Sequence, residues 1–63
     1  MDFFVALSLL IHGARIKRAD DNVVYFSNNR GLTIEGFNLS DGAEVPVILT
    51  PEEINAGNWE VVE

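Results

Sequence analysis

From Phe3 to Ile11 the chain runs through nine residues of which only Ser8 is polar. Phe3, Leu7, Leu10 and Ile11 fall at i, i+4, i+7 and i+8, the spacing of one apolar helical stripe. Phe4, Val5 and Leu9 widen that stripe until only Ser8 and His12 are clearly polar. Asp2 is placed to cap the first free amides, and Gly13 supplies the positive φ on which helices commonly end. A helix over residues 2–12 is therefore expected. Being apolar nearly all round, it has to be covered on more than one side. A 63-residue chain can hardly provide that cover. Cores of this size rarely supply more than ~3–5 kcal/mol, and small folds usually add a disulfide, a metal or a second subunit. The sequence has no cysteine, which excludes disulfides and thiolate metal sites. Its single histidine, His12, argues against structural zinc. Homo-oligomerisation is the expected compensation.

The same run bears on location. Nine residues cannot cross a bilayer, which takes ~20, and an opening on Asp2 lacks the basic segment of a signal peptide. A cytosolic protein without membrane contact is expected. Hydrophobic residues make up 48% and charged residues 22%, a folded rather than a disordered composition. The net charge of −6 argues against binding a nucleic-acid polymer, whose phosphates demand a basic surface.

After Gly13 the pattern turns extended. Residues 14–18 alternate basic and apolar, Asp20-Asp21-Asn22 reads as a turn, and Val23-Val24-Tyr25-Phe26 has strand composition. Ser27-Asn28-Asn29-Arg30-Gly31 suits a hairpin turn, and Leu32-Thr33-Ile34-Glu35 alternates as a half-buried strand. Residues 36–42 read as a polar loop. Residues 43–49 read as a further strand, placed at an edge by Pro46. Thr50-Pro51-Glu52-Glu53 combines a cap, a proline at the first helical position and the spacing of a capping box. Gly57 stops that short helix, and Trp59-Glu60-Val61-Val62 returns to a strand. The expectation is one α+β domain over residues 1–63. Its N-terminal helix packs on a small antiparallel sheet, and a short second helix precedes the last strand.

Catalytic chemistry finds little support. His12 lies in a last helical turn, where the dipole favours it in any case, and a general base also needs a positioned partner. The serines lack a nucleophile-elbow setting. Asp20-Asp21 and Glu52-Glu53 fall where a turn and a helix start want acids. No enzyme, cofactor or metal is expected. The basic residues say more. Arg15, Lys17 and Arg18 crowd into four positions, with Arg30 the only other cation. They form either a solvated strand edge balanced by Asp20 and Asp21, or a pocket for a phosphate-bearing anion with Arg as bidentate donor. Tyr25, Phe26, Phe37 and Trp59 bring rings that serve either the core or base stacking. Asn28, Asn29 and Asn58 bring amides.

Two stretches resemble a known family. The first is F-x-x-A-L-x-x-L-x-x-G-x-x-x-x-R, on Phe3, Ala6-Leu7, Leu10, Gly13 and Arg18. The second is Thr50, Glu52-Glu53, Ala56, Asn58-Trp59 and Val61-Val62-Glu63, and Asp41-Gly42 followed by Val45 adds a third point. Together they resemble small phage proteins that include Thoeris anti-defence sponges. The resemblance implies a helix on an antiparallel sheet and a homo-oligomer, tetramer or dimer. It also implies sequestration, without cleavage, of a small cyclic nucleotide or cyclic ADP-ribose-type immune signal in pockets between subunits, in the host cytoplasm. Arg18, Asn22, Asn58 and Trp59 are the positions carried over, and Arg30 and Tyr25 complete the candidate ligand-binding set. Where the family typically follows its arginine with Lys-Gly-Trp-Asn, this chain has Ala19-Asp20-Asp21-Asn22, an acid in place of the tryptophan. The alternative expectation is an acidic inhibitor that docks on a host protein, motivated by the charge of −6 and the apolar helix.

Overall fold

A computed structural model describes residues 1–28 and 33–62. The expected hairpin turn at Asn29, Arg30 and Gly31, and Leu32 beside it, lie outside the described residues. The element order is α1 (Phe3–Ile11), β1 (Arg15–Arg18), β2 (Val23–Asn28), β3 (Thr33–Asn38), β4 (Glu44–Val45), α2 (Pro51–Asn55) and β5 (Trp59–Val62). The strands make one antiparallel sheet in the order β4-β3-β2-β1-β5. This is the α+β architecture expected from the sequence.

Local chemistry sets both ends of α1. The Asp2 carboxylate accepts from the Val5 amide at 2.9 Å. At the other end the Ala14 amide donates to Leu9 O and the Gly13 amide to Leu10 O, with Gly13 at φ 105°. These paired bonds form a Schellman cap, which needs a residue free to take positive φ. Phe3, Ala6 and Leu10 point inward and join Ile16, Tyr25 and Trp59 in the core. Ser27 Oγ donates to Leu10 O at 3.0 Å, tying the end of the helix to β2. The second helix starts as its sequence indicates, with Thr50 Oγ1 accepting from the Glu53 amide at 3.3 Å. Val47, Leu49, Ile54 and Ala56 lay a half-buried apolar rim against the core.

Two expectations are corrected. Residues 36–38 are not loop: Gly36, Phe37 and Asn38 continue β3 opposite Tyr25, Val24 and Val23. The turn comes later, where Gly42 at φ 72° closes a loop that Asn38 organises by accepting from the Ser40 amide and hydroxyl. The strand expected over residues 43–49 shrinks to Glu44–Val45, because Pro46 has no amide to continue the ladder.

Gly36 belongs in the strand because the Tyr25 ring lies over it. A Cβ there would stand 3.2 Å from Val45 O and 3.3 Å from two Tyr25 ring carbons. Gly36→Ala is expected to lower stability by about 1 kcal/mol, since overpacking outweighs the gain in strand propensity. A urea unfolding midpoint at or above wild type would contradict this.

Candidate functional site

Alternation along the strands divides the candidate residues between two faces of the sheet. Ile16, Arg18, Tyr25 and Trp59 share the face covered by α1. Arg15, Lys17, Phe26 and Phe37 share the open one. The pairing of Arg18 with Trp59 in the β1–β5 ladder brings Asn58 beside Arg18 from 40 positions away. Arg18 Nε donates to Asn58 Oδ1 at 3.1 Å, and Asn58 Nδ2 donates to Asp20 Oδ1 at 3.0 Å. Asp20 Oδ1 also stands 3.7 Å from Arg18 Nε. The cluster is half-open, with side-chain exposures of 21% for Arg18 and 68% for Asp20. An ion pair this wet contributes only ~0–1 kcal/mol, so its effect is orientation. Among the described residues these bonds use Nε alone and leave both terminal amino groups of Arg18 without a partner. They are the groups with which arginine grips an oxyanion in bidentate fashion. The amide of Asn58, one of the carried-over positions, is used at both ends to hold Arg18 and Asp20.

The remaining candidates are placed differently. Trp59, 2% exposed, is core: its ring centroid lies 5.3 Å from Phe3 and 6.0 Å from Tyr25. Its Nε1 donates to Glu53 O at 3.0 Å. Tyr25, 7% exposed, is core as well. Neither ring presents a face for stacking in the single chain, because α1 closes over both. Asn22 stands apart from the Arg18 cluster, its amide donating to Asp21 Oδ1 and its carbonyl accepting from Leu39. Arg30 lies outside the described residues. Lys17 is taken up internally: Nζ donates to Arg18 O and Asp21 O, each at 3.1 Å, and pairs with Glu60 at 3.1 Å. That lysine stitches the β1–β2 turn to β5. His12 Nδ1 donates to Ser8 O at 2.7 Å, a bond internal to the helix end.

No family model, curated protein or solved structure matches the chain. Among the described residues no group of three or more His, Asp or Glu is placed to hold a metal ion, and no helix is long and apolar enough to cross a membrane. The void that Phe3, Leu10, Ile16 and Tyr25 line between α1 and the sheet is about 10 Å³, no larger than a single water probe, so it takes no ligand.

One titration follows from this packing. Burial pushes the Tyr25 phenol above its ordinary value of 10.0, and the Glu53 and Asp21 carboxylates push it the same way. The unfolded chain then releases this proton at lower pH than the folded one, so the Tyr25 contribution to stability is level below pH 10 and falls as pH rises beyond it. Tyr25 is the sole tyrosine, so tyrosinate absorbance reports it directly. Its native-state midpoint is expected above that of the urea-unfolded chain, and coincident midpoints would refute the assignment.

Proposed function

We propose that the protein is a non-catalytic binding protein that self-associates through α1 and sequesters a small cyclic nucleotide or cyclic ADP-ribose-type signal. This is the action of the phage anti-defence sponges it resembles, carried out in the host cytoplasm. The observation that carries this reading is Arg18, oriented by Asn58 with both terminal amino groups unbonded. A phosphate or pyrophosphate is the ligand such a fork accepts best.

Two further features support it. The outer face of α1 exposes Phe4 (69%), Val5 (50%) and Ile11 (50%), and no charged side chain lies between Phe3 and Ile11. For a molecule of net charge −6, it is also the face where two copies approach with least repulsion. Arg18 sits toward the N-terminal end of α1, since its partner Trp59 exchanges backbone bonds with Met1. A second copy docked along α1 comes close to it, giving a pocket between subunits. Sequestration requires a dissociation constant below the signal concentration, and a nanomolar value corresponds to about −12 kcal/mol.

Calorimetry against cyclic dinucleotides, cyclic trinucleotides and cyclic ADP-ribose isomers tests the reading. Binding of one of them is expected, with Arg18→Ala weakening it at least tenfold and leaving the oligomer intact. Asp20→Asn is expected to tighten it, because a carboxylate beside the fork repels phosphate. Silence across the whole panel would sink the proposal. A stoichiometric host protein recovered in its place would support the inhibitor reading, which the same exposed helix face favours.

A further inference from the structure

The face of the sheet opposite α1 has no helix over it and carries a second set of chemistry. Phe26 on β2 is opposite Glu35 on β3, and Phe37 on β3 is opposite Glu44 on β4. The Ile16–Tyr25 pair sets the register of β1 against β2 and puts Arg15 next to Phe26. The two phenylalanine rings are half-buried, 5.8 Å apart and inclined at 60°. They form the shared wall of two adjoining grooves. One, of about 280 Å³, is lined by Arg15, Phe26 and Phe37. The other, of about 400 Å³, runs past the same rings to Glu35 and Glu44. Among the described residues Arg15 is exposed, and its guanidinium makes no hydrogen bond or ion pair. Glu35 is partly engaged, accepting from Asn28 Nδ2 at 2.6 Å. From Arg15 to Glu44 the row runs three strand spacings across the sheet and two residues along it, roughly 16 Å between backbones.

We propose that this open face is a ligand site of its own, binding a nucleotide whose base carries an exocyclic amine. The base lies on Phe26 and Phe37, the phosphate meets Arg15, and the amine donates to Glu44. The order of groups argues for this class. An inorganic anion would use Arg15 alone, and an uncharged ring would use the phenylalanines alone. An organic cation would meet Arg15 at one end. A nucleotide uses all three in sequence, and the long Arg15 and Glu44 side chains can reach inward from the ends of the row to meet it. Aromatic side chains stack on any base, and carboxylates accept specifically from amines such as cytosine N4. The site is on the opposite face from Arg18 and does not depend on the function proposed above.

Backbone-amide NMR titration with CMP, UMP and inorganic phosphate tests it. CMP is expected to shift the amides of Arg15, Phe26, Phe37 and Glu44 and to bind several-fold more tightly than UMP, which has a carbonyl in place of the amine. Phosphate alone is expected to bind at least tenfold more weakly. Arg15→Ala should weaken CMP about tenfold, and Glu44→Gln should remove the preference over UMP; both side chains are exposed, so the fold survives. No localised shifts at millimolar CMP, or equal shifts in Arg15→Ala, would overturn the site. Loss of the CMP shifts in Arg18→Ala would also overturn it, by moving the nucleotide to the other face and leaving the proposed function standing.

Discussion

Trp59→Ala is expected to leave a single chain largely unfolded at 25 °C, with near-ultraviolet circular dichroism lost and no cooperative urea transition. Trp59 is among the largest fully buried side chains and is sandwiched between Phe3 and Tyr25. Truncating such a residue costs about 3–5 kcal/mol, comparable to the whole net stability of a domain this small. The loss has a second part. The Trp59 indole donates to the Glu53 carbonyl of α2 beside the Ala56 amide, so the truncation also removes a tie to the short helix that rims the core. Trp59→Phe separates the two parts by keeping a ring and removing the donor. It should fold with stability reduced by about 1–3 kcal/mol, from the imperfect fit and the lost indole hydrogen bond. A cooperative Trp59→Ala transition within 1 kcal/mol or so of wild type would show that the core does not rest on this side chain.

The second large effect concerns assembly. Phe4→Glu and Leu9→Glu should convert a homo-oligomer to monomer, weakening association at least about a hundredfold in sedimentation equilibrium. An unpaired charge buried at an interface costs about 3–5 kcal/mol, and each 1.4 kcal/mol is tenfold. Phe4 is 69% exposed in the single chain, so its replacement leaves the fold untouched. Ser8→Ala, on the same surface without a charge, is the control and should stay oligomeric. If wild type sediments as a monomer at its highest soluble concentration, association through α1 is refuted.

How much of this was legible in the residues follows from where each constraint acts. Asp2, Gly13, Thr50 and Pro51 act within one turn of chain, so both helix starts and the end of α1 read directly. β5 read directly too, since Trp59-Glu60-Val61-Val62 alternates without interruption. The C-terminal half of β3 did not. Gly36 looks like a loop residue until the register places it beneath Tyr25, which is a relation between strands. The Arg18–Asn58 bond was hidden for a similar reason. β5 passes three strands by and pairs with β1, and no local pattern announces a contact 40 positions apart. The rings were visible but their faces were not. A one-residue slip in register exchanges the two sides of a strand, so whether Phe26 or Tyr25 faces α1 is decided by pairing.

The pairing of the chain's two ends bears on biosynthesis. Met1 and Phe3 bond and pack against Trp59, so the most apolar segment is made well before the strand that completes its core. At 5–20 residues per second, the 56 residues from Phe4 through Trp59 take about 3–11 s to translate. Throughout that interval α1 lacks its core partner strand. Synthesis is therefore a stage at which this apolar helix is exposed to aggregation, and a chaperone at the ribosome would meet Phe3–Ile11 before its core is complete.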